Sequence, residues 1–106
     1  SDELAEMRYR ASVRPGVQES YARMFPPPRQ DGIRMLAQDE EVIRNLGHET
    51  LIVHGREDLV IPLESSERLH RLIDRSQLHV FGRCGHWTQI EHGERFVRLV
   101  ADFLAE

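Results

Sequence analysis

Two short apolar runs, "TLIVHG" (50–55) and "QLHVFG" (77–82), stand on either side of a helical stretch, and that order restricts the fold more than any other feature of this chain. The first run carries β-rich residues with no polar alternation, the pattern of a strand covered on both faces of a parallel sheet. Between the runs, "LESSERLHRLI" places Leu63, Leu69, Leu72 and Ile73 at helical spacing. After the second, "IEHGERFVRLVADFLAE" places Ile90, Phe96, Val97, Val100, Phe103 and Leu104 on one stripe, with Gly93 near its start. The order βαβα predicts parallel strands over about 50–54 and 77–81 and helices over about 63–73 and 91–105, joined by a right-handed crossover. The fold class is α/β.

The texture before Gly47 differs. "DELAEMRYRAS", "GVQESYARMF" and "DGIRMLAQDEEVIRNL" read as helical pieces separated by Pro15–Gly16 and by the prolines 26–28. In the third piece Leu36, Val42, Ile43 and Leu46 suggest one apolar side. The sequence therefore divides into a helical region, 1–46, and an α/β region, 47–106. Two parallel strands alone would leave long open edges, and no internal repeat supplies more strands. The sheet must be completed by a further polypeptide or by self-association.

Composition narrows the partners. The chain has 106 residues, 40% hydrophobic and 30% charged, and no apolar run nears the roughly 18 residues of a membrane span. A formal net charge of −4 argues against general nucleic-acid binding, which needs a basic face. The charged start "SDELAEMRYR" lacks a signal-peptide core, and the lone Cys84 has no internal disulfide partner; both lead to the expectation of a cytoplasmic protein. A small molecule is the expected ligand.

In parallel α/β sheets, reactive groups gather beyond the carboxyl ends of the strands. There the first run leads into "HGREDLVIP" and the second into "FGRCGHW". Neighbouring parallel strands would bring an acid and the imidazole of His86 to one sheet edge, where the acid can fix the tautomer of the base. Spacing alone leaves Glu57 and Asp58 both open as the acid, and Asp58 equally suits a turn-stabilising or N-capping role. His86 could also be a packed loop residue. His54 fits a structural hydrogen bond or a place in the pocket wall; His92 fits a helix cap. His48, His70 and His79 have no ligand spacing, and Cys84 with His86 is too few ligands for a metal, so none is expected. Cys84 reads as a small buried thiol rather than a nucleophile.

"LIVHGREDLVIPL", "LHVFGRCGHWTQIEH" and "RFVRLVADFL" strongly resemble the C-terminal part of the meta-cleavage product hydrolases, α/β-hydrolase-fold enzymes that cut carbon–carbon bonds in dienoate products of aromatic degradation. The likeness is greatest to those acting on 2-hydroxymuconic semialdehyde. It extends back through "RASVRPGVQESYARMFPPPRQ", which is similar to the end of that family's helical lid. The resemblance implies that 1–46 is the lid end and 47–106 the C-terminal part of the core. It implies Asp58 as the acid and His86 as the histidine of a triad ordered serine, acid, histidine. It further implies that Trp87 and Val60 line the substrate site and that Arg8 engages the polar dienoate end, for which a guanidinium offers fixed donors. No cofactor is implied.

The departure from the family is the nucleophile. No G-x-S-x-G elbow occurs, and Ser1, Ser12, Ser20, Ser65, Ser66 and Ser76 all lack that setting. The chain is accordingly expected to be a C-terminal fragment, inactive alone. Esterases, epoxide hydrolases and dehalogenases share the acid–histidine layout, so they stand as the alternative enzyme classes. A non-catalytic, self-associating module is the alternative outside enzymes.

Overall fold

The computed structural model describes all residues 1–106. The chain forms two compact units, Ser1–Ala37 and Gln38–Glu106. The first contains α1 (Asp2–Ser12), α2 (Val17–Met24) and α3 (Arg29–Leu36). Ser1 caps α1 by accepting the Leu4 N–H, and Asp2 and Glu3 place negative charge at the helix start, where the dipole favours it. Gly16, with φ of 82°, takes the left-handed conformation that lets the chain turn from α1 into α2. Pro28 then precedes α3 as its extended cap.

The second unit contains α4 (Glu40–Arg44), β1 (Thr50–Gly55), α5 (Leu63–Leu72), β2 (Ser76–Phe81), α6 (Thr88–Glu91) and α7 (Gly93–Ala105). β1 and β2 pair in parallel, in a register that runs from Thr50 opposite Ser76 to Gly55 opposite Phe81. α5 packs on both strands, and α4 packs on α5, where Arg68 pairs with Glu40. The buried apolar residues are Leu72 and Ile73, at the end of α5 just before β2, and Phe81 and Cys84, at and beyond the carboxyl end of β2. No helix is long and apolar enough to cross a membrane.

Three expectations from sequence need correction. The stretch 31–46 is not one helix, because Ala37 and Asp39 are extended and separate α3 from α4. Its supposed apolar side is divided with it, leaving Leu36 and Val42 exposed and only Ile43 partly covered. The last helix begins at Gly93, since His92 closes α6 and caps α7 in a non-helical conformation. Finally, Leu51, Ile52 and Val53 are only half-buried. The sequence is suited to a strand covered on both faces, and the two-stranded sheet leaves these residues only partly covered; Val97 and Leu104 on α7 are also exposed.

Candidate active site

Both loops that follow the strands turn toward each other. Beyond β1 the pairing continues as Arg56 N–H donates to Phe81 O (2.9 Å) and Glu57 N–H to Cys84 O (2.9 Å). This close approach depends on Gly55: a Cβ there would lie 2.0 Å from Gly85 O and 2.6 Å from Cys84 O. Gly55 is thus required for space between two backbones, not for an unusual φ. The left-handed residue of the second loop is Arg83, at φ 53°. The Arg83 carbonyl accepts from His92 Nε2 (3.1 Å), whose ring stacks on the buried Phe81 with centroids 5.2 Å apart.

Asp58 serves two purposes with its two oxygens. Oδ1 accepts the N–H groups of Val60 (2.8 Å) and Ile61 (3.0 Å), the local turn expected of an aspartate before a helix. Oδ2 accepts from His86 Nδ1 (2.9 Å), across 28 residues of sequence. The Asp58 side chain is 6% exposed and that of His86 33%. The carboxylate is therefore shielded while part of the imidazole stays open, with Nε2 left for a reacting group.

Glu57, the competitor that spacing left open, points elsewhere. Its carboxylate accepts the Cys84 N–H (2.9 Å) and pairs with Arg56, and these contacts, in that order, hold its carboxyl below the ordinary value. Geometry selects Asp58 as the partner of His86. Glu91, unnoticed in the sequence, accepts from Gly85 N–H (3.0 Å) and Trp87 N–H (3.3 Å), the residues flanking His86. Two carboxylates thus accept the Cys84, Gly85 and Trp87 N–H groups of the histidine loop. Cys84 is buried among these groups; burial first, then Glu91, pushes its thiol up, which disfavours the thiolate a nucleophile needs.

Trp87 meets His86 edge-on, ring centroids 5.4 Å apart, and remains 43% exposed. Val60 contributes its backbone to Asp58 and is 70% exposed as a residue. Arg8 lies on α1, in the Ser1–Ala37 unit, exposed. The cavity at the site, about 450 Å³ being the size of a different one near Pro15, is smaller, about 250 Å³, and lined by His54, Asp58, Ile61, Ser66, His86 and Thr88 among others. No group of three or more His, Cys, Asp or Glu side chains converges to hold a metal ion.

Burial opposes ionisation of Asp58, yet the donors Ile61 N–H, His86 and Val60 N–H outweigh it and bring the carboxyl down from 3.8 to about 2. The sign follows: the contribution of these contacts to stability is fully present above about pH 3.8 and is lost as pH falls through about 2. Carboxyl carbon resonances should therefore give Asp58 a midpoint near 2, and His86→Ala should raise it. A midpoint that stays in place in the variant would contradict the contact.

The alpha/beta hydrolase fold family model matches residues 3–93. The 2-hydroxymuconate semialdehyde hydrolase of Pseudomonas putida is 65% identical over 106 residues, which are 100% of this chain and 38% of that protein. A 2-hydroxy-6-oxo-2,4-heptadienoate hydrolase from Pseudomonas putida strain F1 is also 65% identical, over 105 residues that make up 99% of this chain and 38% of its own length. Among solved structures, a mutant of CumD, a meta-cleavage product hydrolase from Pseudomonas fluorescens IP01, superposes with a TM-score of 0.90 at 63% identity, covering 99% of this chain and 39% of that one. The chain thus spans under two-fifths of the length of these relatives.

Proposed function

The chain belongs to the alpha/beta hydrolase fold family, and from that premise we propose that it carries the acid and histidine of a hydrolase that cleaves a carbon–carbon bond in a dienoate meta-cleavage product, of the 2-hydroxymuconic semialdehyde type. The observation that carries the proposal is the 2.9 Å contact between Asp58 and His86 on loops at the carboxyl ends of two parallel strands. Identity of 65% to a relative named for that substrate supports the choice of reaction.

In this reading Asp58 is the acid and His86 the base. Asp58 fixes the Nδ1–H tautomer of His86 and stabilises the ring when Nε2 takes a proton. Nε2 assists ketonisation of the dienol substrate and then activates a serine supplied by the remainder of the hydrolase fold; water finally releases a carboxylic acid. Trp87 and Val60 wall the substrate beside this pair, and Arg8, on the lid, engages the dienoate carboxylate or enolate. Residues 1–46 are the lid end and 47–106 the core part, a two-part reading supported by the division of the chain into two compact units after Ala37. The reaction needs no cofactor. A cytoplasmic setting belongs to the same proposal, supported by the buried, unbridged Cys84.

A chimera that carries this chain in place of the matching part of the Pseudomonas putida relative tests the assignment. Steady-state kinetics should show turnover of 2-hydroxymuconic semialdehyde well above that of simple esters. Efficient ester hydrolysis with no action on the dienoate would reassign the chain to the esterase class.

A further inference from the structure

His54 has no part in the reading above, yet it is 6% exposed and every polar atom of its ring has a partner. It lies at the end of β1, one residue before the glycine that lets the two loops meet. Nε2 is 2.9 Å from Ile61 O, a carbonyl that can only accept, so Nε2 carries a proton. The same nitrogen lies 3.4 Å from Asp58 Oδ2, the oxygen that accepts from His86. On its other side, Nδ1 is 2.6 Å from the hydroxyl of Ser66, itself 7% exposed on α5. Asp58 Oδ2 therefore sits between two imidazoles, one buried and one open.

We propose that His54 is a positioning residue: held by Ser66, it gives its Nε2–H to the Ile61 carbonyl and so fixes the turn whose amides hold Asp58, thereby setting the direction from which Asp58 Oδ2 receives His86. This deepens the function proposed above and rests on the Asp58–His86 pair within it. Three features support it. The side chains of His54 and Asp58 are equally shielded, each 6% exposed, and hydrogen bonds in such surroundings gain in strength. The Ile61 N–H donates to Asp58 Oδ1 while the Ile61 carbonyl accepts from His54, so the acid turn is grasped from both sides. Ser66 brings in α5, so the acid is referred to a helix that packs on both strands rather than to its loop alone.

The test reads the ring nitrogens of His86 by 15N NMR in the chain itself, at a pH well above the ordinary histidine range. Asp58 favours the Nδ1–H tautomer of His86, so the ratio of Nδ1–H to Nε2–H reports how well the carboxylate is aimed. His54→Phe keeps an aromatic ring and removes both nitrogens; the ratio should fall about fivefold, the worth of one ordinary hydrogen bond. His54→Gln, which keeps an N–H at similar reach, should recover much of it, and Ser66→Ala should lower it about twofold.

A ratio unchanged in His54→Phe, with the backbone amide spectrum retained, would overturn the proposal, as would an equal fall in the Phe and Gln variants, which would reduce His54 to a structural role. If His54→Phe does not fold, Ser66→Ala decides: a lowered ratio supports the role, and an unchanged one removes it. No substrate enters this measurement, so a chain that fails on dienoates would leave its outcome intact.

Discussion

His86→Ala, introduced into the chimera that joins this chain to the rest of the Pseudomonas putida relative, should lower kcat by roughly 10⁴- to 10⁶-fold with little change in KM. The size follows from what the ring does rather than from packing, since His86 is exposed at the mouth of its loop. Its Nδ1 is committed to Asp58 at 2.9 Å, and only Nε2 remains for proton transfer. Asp58→Asn should cost roughly 10³- to 10⁴-fold. An amide can present an N–H to Nδ1, which reverses the tautomer and takes the proton to the nitrogen that has to accept one. Loss of the negative charge also removes the stabilisation of the protonated ring. The two losses should not add, because both variants disable one unit. Steady-state kinetics of the single and double variants checks this; additive losses would mean that the residues act apart.

Gly55→Ala should be the most disruptive change of a single atom in the α/β unit. The added Cβ would meet Gly85 O at 2.0 Å, Cys84 O at 2.6 Å and Cys84 C at 2.9 Å. All three are backbone atoms, so no flexible side chain can give way. Separating the loops would break the Glu57 N–H to Cys84 O bond and carry Asp58 away from His86. Overpacking of this kind costs about 3 kcal/mol or more, a large part of the stability of a small unit. Gly93→Ala is the control: nothing lies within 4 Å of its Cβ position, and an alanine at this first residue of α7, by restricting the unfolded chain, should add roughly 0.4–1 kcal/mol. Urea denaturation should separate the two variants in opposite directions. A tolerated Gly55→Ala would mean that the loops do not approach as closely as described.

The strands were legible because their signal is local. Uninterrupted β-rich residues and the helical spacing of "LESSERLHRLI" foretold β1, α5 and β2 nearly to their ends. The break between α3 and α4 was hidden because the spacing of Leu36, Val42, Ile43 and Leu46 looked continuous. A signal did exist: Asp39 ahead of Glu40 and Glu41 is the pattern of a new helix start.

At the site, the approach of Asp58 and His86 followed from the parallel order of the strands, since both loops leave the same edge. The choice between Glu57 and Asp58 did not, because it depends on which carboxylate faces across the loop and which turns to the Cys84 N–H. The roles of Ser66 and Glu91 are set by contacts in space with His54 and with the His86 loop, and nothing in their own neighbourhoods marks them. His54 was read as a structural hydrogen-bonding residue, and it makes such bonds; its nearness to Asp58 depends on the turn at Ile61, which sequence alone does not trace.

The most direct test mixes this chain with the part of the Pseudomonas putida relative that this chain does not cover and follows the absorbance of 2-hydroxymuconic semialdehyde, with His86→Ala as control. Turnover in the mixture, absent from either piece alone and lost in the variant, is the predicted result. A mixture that associates yet leaves the substrate unchanged would contradict the account, because Asp58 and His86 would then be in contact without being placed for this chemistry.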